Sequence, residues 1–179
     1  MISAILLAAG LSRRMGSDKL LLMYKGLPLL QHAVDLLNEL PVFERIIVST
    51  EARLEHVLLP SGISTVINRN PEAGQSSSIK LGVEAATGTH YLFLAADQPK
   101  LKSYDIKPIL EVANANPDKI IFPPTLFPNR FRSDLLSLTG DVGGRIIRDA
   151  NIEECIEVRP ECPENFTDID SMEDYYELI

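Results

Sequence analysis

The sequence is short of positive charge. Its 179 residues carry 17 lysines and arginines against 25 aspartates and glutamates, a formal net charge of −8. A nucleic-acid or membrane-surface partner rewards a basic face, and this balance repels their phosphates, so neither is expected. A small anionic ligand stays compatible, provided local cations outweigh the global field. Cysteine is scarce too: Cys155 and Cys162 are the only two, with no histidine near them in the chain. That spacing builds neither a metal site nor a disulfide framework, and the expected location is a reducing cytoplasm. His32, His56 and His90 fall in no motif and read as surface or packing residues. The apolar start at residues 2–9 is too short to span a bilayer and lacks the basic leader of a signal peptide. It reads as a buried strand. No internal repeat, low-complexity tract or long linker interrupts the sequence, which predicts a single domain over residues 1–179.

What is present is an apolar share of 45%, enough to fill the core of one domain. Short apolar runs alternate with helical stripes, the pattern of an α/β domain with a largely parallel sheet. Strands are expected at 3–8, 45–50, 64–67, 91–95, 119–122 and 155–159. Helices are expected at 29–40, 52–58, 78–86, 104–115, 144–150 and 171–178. In the first helix Leu30, Ala33, Val34 and Leu37 share one face, Pro28 stands at the start and Pro41 stops it. Ser171 and Asp174 make a capping-box pattern for the last one. Two stretches break the rhythm, 10–19 and the proline- and aromatic-rich 123–133, and both read as irregular connections. Long connections in compact domains tend to be functional, above all at the carboxyl ends of parallel strands.

The first of these lies in Leu7-Ala8-Ala9-Gly10-Leu11-Ser12-Arg13-Arg14-Met15-Gly16-Ser17-Asp18-Lys19, which gathers three cations within seven residues of an acidic chain. Glycines let the backbone approach a ligand and aim N–H groups at an anion, while Arg13, Arg14 and Lys19 supply charge to phosphate oxygens. The spacing is neither a Walker A loop nor a dinucleotide fingerprint. The plainer reading is a basic solvated turn. Asp97 directly follows the apolar run 91–95 and suits a magnesium ligand, magnesium being held by one or two carboxylates with phosphates and water completing its shell. Alternatively Asp97 caps the helix near Ser103. Gly74-Gln75-Ser76-Ser77-Ser78 precedes a helix with Ile79, Val83 and Ala86 on its core face. One of its serines can cap that helix, and its hydroxyls and N–H groups also suit a base edge or an anion.

These blocks together resemble the molybdenum cofactor nucleotidyltransferases, part of a broad group that transfers nucleotides to sugars, alcohols and pterins. The similarity runs through residues 7–19, Lys19-Leu20-Leu21, Gly26-Leu27-Pro28-Leu29, Asn70, Gly74 with Ser76-Ser77-Ser78-Ile79-Lys80-Leu81-Gly82, and Ala96-Asp97-Gln98-Pro99. It continues in Leu138-Thr139-Gly140-Asp141-Val142-Gly143-Gly144-Arg145 and ends at Asp168-Ile169-Asp170-Ser171. The resemblance implies a three-layer Rossmann-like fold of the nucleotide-diphospho-sugar transferase kind, with a mostly parallel central sheet and helices on both faces. It implies a magnesium-dependent transfer of CMP from CTP to a molybdopterin-type acceptor with release of pyrophosphate. Ala8-Ala9-Gly10 matches the CTP-using branch, whereas guanylyl-transferring members carry Ala-Gly-Gly there. A molybdoenzyme or its chaperone is the protein partner it suggests.

By the same resemblance the nucleotide meets Leu7, Ala8, Ala9, Gly10, Ser12, Arg13, Arg14, Met15, Gly16, Lys19, Gly74, Gln75, Ser76, Ser78 and Asp97. Gln98, Asp141 and Arg145 face the acceptor, and the magnesium ion is held by Asp97 with Asp168 or Asp170. Arg13, Lys19 and Asp97 carry the catalysis. Period-2 alternation puts Asp168 and Asp170 on one side of an extended segment, and either of them can instead cap the last helix. Residues 140–145 also read as a glycine-rich turn before a helix. One departure stands out: residues 123–131 contain no glycine, where the cytidylyl branch has a longer glycine-containing stretch ending in Gly-x-Pro. That leaves open another phosphorylated acceptor more than another nucleotide; GTP as donor and a nucleotide-binding regulatory module without turnover are the separate alternatives.

Overall fold

A computed structural model describes residues 1–11 and 18–179 of the chain. Nine strands appear in order among the described residues: β1 (Ile2–Ala8), β2 (Met23–Tyr24), β3 (Leu27–Pro28), β4 (Glu44–Ser49), β5 (Ile63–Ile67), β6 (His90–Ala95), β7 (Ile120–Phe122), β8 (Leu126–Pro128) and β9 (Cys155–Glu157). The α-helices among the described residues are α1 (Leu29–Glu39), α2 (Glu51–Leu54), α3 (Gln75–Ala85), α4 (Ser103–Ala115), α5 (Arg132–Ser137), α6 (Arg145–Ala150) and α7 (Met172–Leu178). Seven strands form one sheet in the order β5-β4-β1-β6-β8-β7-β9, and β2 and β3 make a separate hairpin. Strands β5, β4, β1 and β6 run parallel, while β8 lies antiparallel between β6 and β7.

The sheet is covered on both faces, as its central strand requires. In β1, Ala4, Leu6 and Ala8 pack into one core with Leu30, Val34 and Leu37 of α1 and Ile106, Ile109 and Leu110 of α4. Ile5 of the same strand packs into the opposite core with Ile79 and Val83 of α3, Phe127 of β8, Leu135 of α5 and Ile147 of α6. A strand buried on both sides reads as a continuous apolar run, which is why β1 was visible in the sequence. The α1 stripe, all of it buried, holds that helix on the sheet, each fully buried leucine contributing about 1.5–3 kcal/mol. The layering is the three-layer α/β arrangement expected, with a mostly parallel sheet.

Three local expectations are corrected. The stretch 123–133 is not an irregular connection: it contains β8, a 3-10 turn at Asn129–Phe131 and the start of α5. A three-residue strand ending in proline has too few positions to show alternation, although Leu126, Phe127 and Pro128 are all buried. The helix expected at 52–58 closes at Leu54. The side chain of Gln31 takes both backbone groups of Leu58, accepting its N–H at 2.7 Å and donating to its carbonyl at 3.1 Å, so those groups cannot extend the helix. Finally α3 starts at Gln75, with Gly74 as a cap that has no side chain, so the three serines lie inside the first turn and none caps it. Ser171 does cap α7, and its N–H is received by Asp174. No helix among the described residues is long and apolar enough to cross a membrane.

Candidate active site

The carboxyl ends of β1 and β6 lie side by side, with Leu7 paired to Ala95. Beyond them the chain leaves the sheet, and the two departures frame a cavity of about 290 Å³. One wall is Leu7 at the end of β1 and Ala9, Gly10 and Leu11 after it, with Lys19 and Leu20. The floor is Ala95, the last residue of β6, with Ala96 and Asp97, and the far wall is Pro71, Glu72, Gly74, Gln75, Ser78 and Asp141.

Lys19 is the cation of this cavity that the structure describes. Asp18 heads the 3-10 turn Lys19–Leu21, its carboxylate accepting the Leu20 N–H at 3.2 Å, and Leu20 is buried beneath. The Lys19 ammonium thereby reaches Asp97 Oδ2 at 2.7 Å and Asp170 Oδ1 at 3.1 Å. Burial alone lowers the pKa of this amine, but the charges and hydrogen bonds of Asp97 and Asp170 outweigh it, and the value rises above that of ordinary lysine. Lys19 therefore stays charged throughout the physiological range.

The third aspartate arrives with the C-terminal segment, which folds back across the end of β6. The Ile169 N–H donates to the Asp97 carbonyl at 3.0 Å and its side chain is buried. Gln98 Nε2 donates to the Phe166 carbonyl at 2.9 Å and to Asp168 Oδ1 at 2.7 Å. The Asp168 carboxyl is pushed up from the ordinary aspartate range, first by burial of its oxygens and then by the negative charge of Asp97 and Asp170; the Gln98 bond works the other way. The residue as a whole keeps much of its surface in water, which screens these charges. Neither Asp168 nor Asp170 caps α7, because Ser171 does so, and Asp97 does not cap α4, whose first N–H group outside the helix goes to Asp105.

At the far wall two sequence blocks meet backbone to backbone. Gly74 has φ +88° and ψ −177°, a region open only to glycine, and a Cβ there would lie 2.5 Å from the backbone of Gly140 and Asp141. Asp141 Oδ1 accepts the Gln75 N–H at 3.2 Å, and the Ser76 hydroxyl donates to the Gly140 carbonyl at 2.7 Å. The capping oxygen that Gly74 cannot provide thus comes from a residue 66 positions away. Ser77 and Ser78 both accept from Asn68, at 2.8 and 3.0 Å.

Of the residues expected to act, Leu7, Ala9, Gly10, Lys19, Gly74, Gln75, Ser78, Asp97 and Asp141 come together around the cavity, with Asp170 on Lys19. Ala8 is buried in the core and Ser76 in the Gly140 contact. Gln98 engages Asp168 and the Phe166 carbonyl. Arg145 does not line the cavity; its side chain is 80% exposed and pairs with Asp149 at 3.3 Å. Ser12, Arg13, Arg14, Met15 and Gly16 lie outside the described residues. Leu11, Leu20, Pro71, Glu72, Ala95 and Ala96 were missed as lining residues, as was Arg53, which holds the exits of the β1 wall. No local signal marks them: the first six are ordinary loop or core types, and Arg53 binds mostly main-chain carbonyls.

Three α/β layers and a charged cavity at the carboxyl edge of the parallel strands define a Rossmann-like fold of the nucleotidyltransferase type. The chain belongs to the family described as the MobA-like NTP transferase domain, whose model matches residues 4–155. It is 31% identical over 101 residues to the probable molybdenum cofactor guanylyltransferase of Pyrococcus horikoshii, a match covering 55% of this chain and 49% of that protein. It is 29% identical over 134 residues to the protein of the same name from Rhodopirellula baltica, covering 72% of this chain and 63% of the other. The chain thus spans about half to two thirds of the length of these curated relatives. Among solved structures it is similar in fold to Rv0371c of Mycobacterium tuberculosis, with a TM-score of 0.81 at 21% identity over 99% of this chain and 96% of the other. A complex of Rv0371c with manganese gives 0.74 at 20% identity, over 99% and 97%.

Proposed function

We propose that this chain transfers a nucleoside monophosphate from a nucleoside triphosphate to a phosphorylated, molybdopterin-type acceptor, releasing pyrophosphate, with CTP as donor. The observation that carries this reading is Lys19, held charged between Asp97 and Asp170 at the carboxyl ends of β1 and β6. An acceptor phosphate oxygen attacks the α-phosphorus in line, a new P–O bond forms, and the bond to the pyrophosphate oxygen breaks. The acceptor monoester is already ionised at neutral pH, so no strong general base is needed, and rate comes from positioning and charge neutralisation. The Lys19 ammonium bonds Asp97 and Asp170 and brings its positive charge to the cavity, where phosphate oxygens would meet it. It neutralises charge on the departing pyrophosphate, while the Gly74–Gln75 wall and Ser78 hold the nucleoside end.

Magnesium is part of the proposal. Asp97 and Asp170 pair with Lys19, and Asp168, held by Gln98, is pushed up partly by the charges of the other two; an oxygen-seeking divalent cation suits that excess of carboxylate. Among the described residues no three His, Cys, Asp or Glu side chains form a cage for an ion, and magnesium does not ask for one, since phosphates and water complete its shell. Asp97 and Asp170 would hold it, and when bound it supplies further neutralisation of phosphate charge. The manganese complex of the Rv0371c fold relative supports a divalent ion here.

Ala9 supports CTP: it lines the cavity and carries the alanine of the cytidylyl signature, where guanylyl-transferring members have glycine. A second reading, GTP as donor, is favoured by curated relatives named guanylyltransferases, among them the Pyrococcus horikoshii and Rhodopirellula baltica proteins. Thermal shift with each nucleoside triphosphate and magnesium separates the two, because a ligand binding only the native state raises Tm. CTP is expected to give the largest shift, and pyrophosphate is expected to appear once molybdopterin is added. Equal or larger stabilisation by GTP transfers the assignment to the second reading. No shift with any triphosphate ends both, and binding without pyrophosphate release leaves a regulatory module.

A further inference from the structure

Arg53 has no role in the chemistry above, yet its placement is the most constrained of any arginine in the described chain. It sits in the four-residue α2 with its side chain only 6% exposed. Nη1 donates to the Ala8 carbonyl at 2.7 Å, Nη2 to the Gly10 carbonyl at 2.8 Å, and Nε to Asp18 Oδ2 at 2.7 Å. Ala8 and Gly10 lie just before residues 12–17 and Asp18 lies just after them. One guanidinium therefore joins the two ends of the segment that leads from β1 to Lys19.

Stability alone does not call for an arginine here. A buried guanidinium loses its hydration, and replacing a buried ion pair by apolar side chains of similar volume is often neutral or stabilising. What a guanidinium offers is a rigid planar fork that can satisfy three diverging acceptors at once, which an ammonium on a flexible stem cannot. The grip passes directly to the reacting region. Asp18 accepts the Leu20 N–H and, through its carbonyl, the Leu21 N–H at 3.0 Å, fixing the turn that begins at Lys19. Lys19 then meets Asp97 at 2.7 Å.

We propose that Arg53 is a positioning residue that clamps both ends of the 8–18 segment and so sets where Lys19 meets the phosphates of a nucleoside triphosphate. This rests on the nucleotide reading of the cavity. Arg53 touches no substrate; it acts through Asp18 and the two carbonyls.

The test compares binding of CTP and GTP, each with magnesium, with binding of cytidine and guanosine, in the intact protein and in Arg53→Lys. Arg53→Lys is expected to weaken binding of the preferred triphosphate about tenfold, the scale for groups that orient others, with nucleoside binding unchanged. Asp18→Asn is the second variant, since Asp18 is 32% exposed and asparagine keeps an oxygen for Leu20. It loosens only the downstream grip and should give a smaller loss of the same kind. Should Arg53→Lys not fold, Asp18→Asn alone decides. Unchanged triphosphate binding in the folded variants overturns the clamp and leaves the nucleotide reading standing. Equal losses for triphosphate and nucleoside also overturn it, because they report general disruption. Failure of the unmodified protein to bind any triphosphate removes the nucleotide reading, and the clamp with it.

Discussion

The two ends of the cavity are built on different physics. At the β1–β6 end, Lys19, Asp97 and Asp170 are held by opposed charges on side chains that retain some contact with water. At the α3 end, Gly74 and the Gly140–Asp141 turn meet through main-chain atoms with no space for a methyl group. A charge cluster can lose a charge and keep its shape. A backbone contact has no such slack. The first end is therefore expected to fail in chemistry while the fold survives, and the second to fail in the fold.

The largest effect expected from this contrast is on Asp97. Asp97→Asn keeps the shape and removes the charge, and turnover should fall about 100-fold or more, the scale for losing a transition-state charge partner. Its melting temperature should stay close to that of the parent. Near-normal magnesium-dependent turnover in the folded variant would break the contrast at its charged end. Next comes Gly74→Ala, where positive φ and a Cβ 2.5 Å from main-chain atoms act together. Denaturant unfolding should report a loss of about 3 kcal/mol. A variant as stable as the parent would show that the two blocks can separate freely.

Smaller effects sharpen the same comparison. Asp141→Ala removes the oxygen that receives the Gln75 N–H, and should cost about 1 kcal/mol, as for other helix caps. If the loss appears in turnover instead, with stability intact, Asp141 belongs to the chemistry rather than the scaffold. Arg145→Ala should change stability by no more than about 0.5 kcal/mol, because its side chain lies open to solvent and pairs with the surface residue Asp149. A marked rise in KM for the acceptor would support the acceptor role that the family resemblance implies for Arg145.

The six strands expected from apolar runs all exist, and five of the six expected helices come within three residues of their predicted ends. Such elements are legible because burial on one or both faces imposes a period that the sequence displays directly. Strand β8 and helix α5 were not, since short elements flanked by proline carry no period. The site divides in the same way. Lys19 was visible as a cation after the first strand and Asp97 as an acid after a buried one, because each stands at a predictable strand end.

By itself, then, the sequence determined the layered α/β fold and marked the lysine after β1 and the aspartate after β6 that line the cavity, since both follow from local pattern and side-chain chemistry. Tertiary structure alone decided the pairings. Lys19 meets Asp97 across 78 residues and Asp170 across 151, Asp141 supplies the cap that Gly74 lacks, and Arg53 joins Ala8, Gly10 and Asp18. The reason is physical: periodicity encodes which face of an element is buried, whereas the neighbour of that face depends on strand order, and strand order is settled only when the whole sheet closes its two cores.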